Sequence, residues 1–68
     1  MIVKFTEDKL TGTTYAFLNG KRASNHDASV LVNRYTAKCR KADDTPHRTV
    51  TYDGRYERTQ YKFHESEL

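Results

Sequence analysis

From residue 24 to residue 42 the apolar positions of the chain recur with a helical period. Ala28, Leu31, Val32, Tyr35, Cys39 and Ala42 follow at steps of three, one, three, four and three. At 3.6 residues per turn these six fall within an arc of about 100°. Ser24 with Asp27 three residues on has capping-box spacing, which gives the free N–H groups of a first turn a partner. Asp27 alone is an alternative cap. Lys38, Arg40 and Lys41 suit the negative end of the helix dipole, and Asp43, Asp44 and Pro46 then stop it. The pattern predicts one helix over about 25–42.

The rest of the chain alternates with a period of two. Residues 1–6 set Met1, Val3 and Phe5 against Ile2, Lys4 and Thr6, as a strand with one strongly apolar face does. Residues 13–18 are β-rich, with Tyr15 and Phe17 on one face and Ala16 and Leu18 on the other. Asn19-Gly20 then supplies the pair favoured in a tight hairpin turn. Residues 21–23 make a short return to the helix. After it, residues 47–52 and 55–64 read as two strands joined by Asp53-Gly54. A two-residue turn there sets Tyr52 opposite Arg55 and Val50 opposite Glu57. Alternation then sends Val50, Tyr52, Tyr61 and Phe63 to one face and Thr49, Thr51, Tyr56, Arg58, Gln60 and Lys62 to the other. The last five residues read as a frayed tail.

The expected fold is α+β: a small single domain spanning 1–68, ordered ββαββ, with one helix packed on an antiparallel sheet. Its core should comprise Val3, Phe5, Tyr15, Phe17, Leu31, Val32, Tyr35, Cys39, Val50, Tyr52, Tyr61 and Phe63. That core is thin. Leu, Ile, Val and Phe total 12 of 68 residues, so the chain should be stable by only about 3–5 kcal/mol. A homodimer, or docking on a larger partner, is one way to add to that.

Charge is unevenly placed. The net charge is +3, but residues 21–41 hold six basic groups against Asp27 alone, and residues 42–68 hold four basic against six acidic. Arg34, Lys38 and Lys41 stack beside the apolar stripe of the helix. A solvated face explains them as simply as a phosphate-facing ridge does. The single cysteine leaves no internal disulfide and fits a reducing cytoplasm. No membrane association is expected, since no signal peptide or span-length apolar run is visible.

Catalytic patterns are weak. His26, His47 and His64 lie in three separate segments, without the close ligand pairs that zinc motifs carry. Cys39 falls on the apolar stripe, away from anything that would activate a thiol. Gly12, Gly20 and Gly54 are isolated turn glycines, not a phosphate loop. The expectation is a non-enzymatic binding protein without metal or cofactor.

Nucleic acid is the favoured partner, DNA ahead of RNA. Tyr56, Arg58 and Lys62 on the outer hairpin face, with Arg55 at the tip, combine phosphate neutralisation with a ring that can stack on a base. A two-stranded ribbon could carry them into a major groove. Lys21 and Arg22 beside the first turn, and Arg34, Lys38 and Lys41 on the helix flank, would add phosphate contacts. The runs VNRYTAKCRK and DGRYERTQYKFHES resemble the helix and wing of phage excisionases, which hold DNA with a basic helix and a Gly-turned wing. The resemblance covers the C-terminal half. Strand-like sequence stands where the first helix of a winged-helix fold would be, so the family is not assigned.

The alternative is a protein partner. In size and composition the chain resembles small phage accessory proteins that block host machinery, anti-CRISPR proteins among them, and would then act in the host cytoplasm. The same basic ridge would dock on an acidic protein surface, with Tyr15, Tyr56 and Tyr61 as anchors where exposed.

Overall fold

In the computed structural model, which describes residues 1–68, the period-3.6 segment is helix α1, Asn25–Lys41. Ser24 is its N-cap and its Oγ accepts the Asp27 N–H at 3.0 Å. The helix ends where Asp43 turns left-handed at φ 57°. The Asp44 N–H then donates to the Cys39 carbonyl at 2.8 Å and the Asp43 N–H to the Arg40 carbonyl at 3.3 Å. This satisfies the last turn in the way a C-terminal glycine usually does. No helix is long and apolar enough to cross a membrane.

Five strands flank α1 in sequence: β1 Ile2–Asp8, β2 Thr14–Leu18 and β3 Lys21–Ala23 before it, β4 Arg48–Tyr52 and β5 Tyr56–Lys62 after it. They form one antiparallel sheet in the order β3-β2-β1-β5-β4. The expected α+β architecture is present, with the short return after Asn19-Gly20 promoted to a fifth strand. Asn19 and Gly20 take φ 49° and 83°, the pair of positive values that matches the twist of a tight hairpin.

The second hairpin turns one residue later than Asp53-Gly54. The Asp53 N–H donates to the Tyr56 carbonyl, leaving Gly54-Arg55 as the central pair with Gly54 at φ 97°. The cause is the Asp53 carboxylate, which accepts the N–H groups of both Arg55 and Tyr56 and so acts as the turn's first residue. Tyr52 therefore faces Glu57 and Val50 faces Thr59, not Arg55 and Glu57. The offset is two residues along β5. An even slip keeps every side chain on its expected face.

The core lies between α1 and the β2–β1 side of the sheet. Val3, Ala16 and Ala28 are fully enclosed, with Val32, Tyr35, Cys39 and Phe63 around them. Ala16 and Ala28, both small and fully buried in this core, let helix and sheet approach closely. The Tyr35 ring stacks on Phe63 at 4.4 Å between centroids, and its hydroxyl accepts the His47 N–H at 2.9 Å. Eight residues in all are buried.

Five expected core residues are therefore outside it. Tyr15 and Phe17 share the face of β2 that points away from α1, because Ala16 and Leu18 face the helix. Val50 and Tyr52 do face the helix side, but α1 sits over β2 and does not reach β4, leaving them 44% and 64% exposed. Leu31 is only half-buried on the flank of α1. The tail is not frayed: Glu65–Glu67 forms a single 3-10 turn, and Leu68 packs on the core.

Candidate functional site: the open face of the sheet

Because α1 covers one side only, the other side of the sheet is a surface of alternating residues from all five strands. Its register can be followed across the strands. Arg22 of β3 faces Phe17 of β2, then Lys4, Gln60 and Thr49 follow on β1, β5 and β4. The adjacent row is Tyr15, Thr6, Arg58 and Thr51, and the next places Asp8 beside Tyr56. Ile2 and Lys62 pair at the opposite end. Three aromatic rings are thereby interleaved with four cations on a surface that no helix shields.

The rings already carry cations. The Arg22 guanidinium lies 4.8 Å from the Tyr15 centroid and 5.7 Å from that of Phe17, and Lys4 lies 5.8 Å from Phe17. Arg55 and Arg58 lie 5.1 and 5.4 Å from the Tyr56 ring. Such contacts stabilise by about 0.5–1 kcal/mol at exposed positions. They also orient flat guanidinium groups, on which a base stacks much as it does on a ring.

The two ends of this surface differ in charge balance. At the Tyr56 end, Arg55 makes a two-pronged ion pair with Asp8, its Nε at 3.2 Å from Oδ1 and an Nη at 3.1 Å from Oδ2. Asp8 is buried and also accepts the Leu10 N–H, which holds the β1–β2 loop. The Arg55 hydrogen bonds outweigh burial and keep the Asp8 carboxyl below the ordinary range, while Asp8 raises Arg55 in return. Arg58 donates to Asp53 at 2.8 Å. The Tyr56 N–H, then Arg58, then the Arg55 N–H lower the Asp53 pKa to about 2. Both arginines are thus neutralised locally. Lys4, Arg22 and Lys62 enter no ion pair.

Of the residues expected to bind, Arg22, Tyr56, Arg58 and Lys62 come together on this face. Arg55 joins its rim as a structural partner of Asp8. Lys21 faces the helix side at the exposed edge strand, opposite Leu18. Arg34, Lys38 and Lys41 are exposed on α1, in the other layer, so the helix flank and the hairpin face are two surfaces separated by the sheet. Tyr61 packs partly against the core and is no anchor. Tyr15, expected only as an anchor for a protein partner, completes the face with Phe17 and Lys4, which were not among the expected binding residues. Lys4 was legible from its alternation with Val3 and Phe5. The two rings were hidden because both faces of β2 are apolar.

The hairpin is not a free ribbon. β5 is paired along its whole length with β1, and from Glu57 to Tyr61 with β4 as well. Four inter-strand gaps of about 4.8 Å make the face roughly 19 Å across, wider than the ~12 Å major groove. Sequence inspection also missed a carboxylate pair on the helix side. Glu7 faces Glu57 across β1 and β5, and Lys9 bridges them at 3.0 and 2.8 Å. Those two carboxylates, Glu57 foremost, raise the Lys9 pKa. The lysine cancels a repulsion between directly opposed like charges. His47 and His64 line one cleft with Glu67 and with Lys62, the last a residue of the open face. Compared with known proteins, the chain matches no family model, no curated protein and no solved structure.

Proposed function

We propose that the protein binds single-stranded nucleic acid on the open face of its sheet. The observation that carries this reading is the interleaving of Tyr15, Phe17 and Tyr56 with Lys4, Arg22 and Lys62, three cations without carboxylate partners. An exposed sheet with rings for bases and cations for phosphates is a recurrent solution to holding an unpaired strand. Every base has a π-face, so the binding is tolerant of sequence and common to DNA and RNA. The width of the face favours a single strand over a duplex groove. Arg55 and Arg58, neutralised by Asp8 and Asp53, hold the Tyr56 ring in place and add little net attraction. The helix flank of Arg34, Lys38 and Lys41 plays no part in this surface.

Fluorescence anisotropy with labelled 12-nucleotide strands tests it. Single-stranded DNA and RNA should bind at least tenfold tighter than a duplex of the same sequence at 50 mM salt. Tyr15→Ala with Phe17→Ala should weaken that binding by at least about 30-fold, since each of the two stacked bases contributes about 1–3 kcal/mol. Equal affinity for duplex, or none for either strand, refutes the reading. A protein captured from nuclease-treated lysate would then point to the protein-partner alternative.

A further inference from the structure

The two edges of the sheet are protected unequally. β3 has three residues, two of them Lys21 and Arg22, and a short, charged edge resists pairing with another chain. β4 has five residues, Arg-Thr-Val-Thr-Tyr, every one exposed, and no strand on its outer side. It has no internal proline, and its one charge is at the end. Its outward groups can be identified. The Lys62 N–H donates to the His47 carbonyl and the Asp53 N–H to the Tyr56 carbonyl. Odd-numbered residues of β4 therefore bond β5, and Arg48, Val50 and Tyr52 direct their N–H and C=O groups outward.

From this edge we infer that two copies of the chain pair antiparallel through β4, about a two-fold axis at Val50. In that register Val50 meets Val50 of the second copy, and Arg48 meets Tyr52 in both directions. All three outward residues exchange both hydrogen bonds, six in total. The ladder stops at each end, where Gly54 meets Pro46, which has no N–H to donate. Like charges are kept apart and each cation meets a ring. Each Arg48 lies beside the Tyr52 ring of the other copy, and the two Arg48 residues are held about 14 Å apart. Val50 and Tyr52, the apolar residues that α1 leaves uncovered, are the ones the second copy covers. A partner of unrelated sequence would have to match this pattern, whereas a second copy carries it already.

An antiparallel pair has its two-fold axis perpendicular to the sheet. Both helices therefore lie on one side and both open faces on the other, side by side in a ten-stranded surface. That corollary rests on the nucleic-acid reading; the dimer does not, and is measured without nucleic acid. Five residues of edge bury less than a standard interface, so the dimer is weak and concentration-dependent.

Sedimentation equilibrium of the full chain from 5 to about 500 µM tests the pairing. The expected result is a reversible monomer–dimer equilibrium, weakened at least tenfold by Val50→Lys, which sets two ammonium groups face to face. Val50 is already exposed and its N–H points outward, so the variant should keep the parent circular-dichroism spectrum. As a check on register, Val50→Cys should form a disulfide-linked dimer under mild oxidation, its two Cα atoms standing about 5.5 Å apart. Thr49→Cys should not, because its counterpart lies about 8 Å away. A chain that stays monomeric at the highest concentration overturns the homodimer and leaves β4 to the strand of another protein. Undiminished dimerisation of Val50→Lys, or equal cross-linking of Thr49→Cys, overturns this edge and this register.

Discussion

Removing Lys4 and Lys62 together should change how binding responds to salt, not merely its strength. A cation that contacts a phosphate displaces condensed counterions, so log K falls with log salt by about 0.7 per phosphate neutralised on a single strand. A cation already paired with a carboxylate displaces few. On the open face Arg55 is paired with Asp8 and Arg58 with Asp53, which leaves Lys4, Arg22 and Lys62 to count. Three contacts give a slope near −2, and raising salt from 50 to 200 mM should weaken binding by roughly 20-fold. Lys4→Gln with Lys62→Gln leaves one contact, a slope near −0.7 and a loss of roughly threefold over the same interval. Both side chains reach solvent without ion pairs, so the fold should be unaffected, which circular dichroism confirms or denies. The matched control is Lys38→Gln with Lys41→Gln on α1, expected to keep the parent slope. Anisotropy titrations at five salt concentrations give all three slopes. An unchanged slope in the sheet-face pair, or a reduced slope in the helix pair, refutes the assignment of phosphate contacts to this face.

Three stability predictions follow from the packing. Tyr35→Phe keeps the stack on Phe63 but leaves the His47 N–H without its acceptor; urea unfolding should show a loss of about 1–2 kcal/mol. Asp43→Gly should stabilise by about 1 kcal/mol. It relieves a left-handed residue at φ 57° and removes a negative charge from the negative end of the helix dipole. Asp53 in the fold titrates at about 2 against an ordinary value of 3.8. The fold favours its charged form, so its contribution is fully present above about pH 4 and is lost as pH falls from there toward 2. Urea midpoints measured from pH 5 to 2 should show a shallower acid limb in Asp53→Asn, which retains an acceptor for the Arg55 and Tyr56 N–H groups.

The helix was legible because its signals are local. A period of 3.6, a serine cap and a basic last turn need no knowledge of the remainder of the chain, and α1 begins and ends within a residue of the expected range. Both hairpins were legible for the same reason, and the faces of β5 survived a misplaced turn because the slip was even. Which face of β2 turns inward was not legible, although its two faces were. Thr-Tyr-Ala-Phe-Leu is apolar on both sides, and the expectation that larger rings go inward failed at Tyr15 and Phe17. Which side meets the helix depends on burying Ala16 in one core with Ala28, residues on different elements. Val50 and Tyr52 likewise carry no local sign that α1 stops short of β4.

The amino-acid sequence alone determined one amphipathic helix, two hairpins and a concentration of positive charge, because each arises from neighbours within a few residues. Tertiary structure alone decided that the helix covers half of one side, that three aromatic rings stand among free cations on the other, and that β4 has an uncovered edge. Those outcomes depend on which small residues let two layers approach and on how many strands a single helix can span. Neither quantity can be read from any one segment.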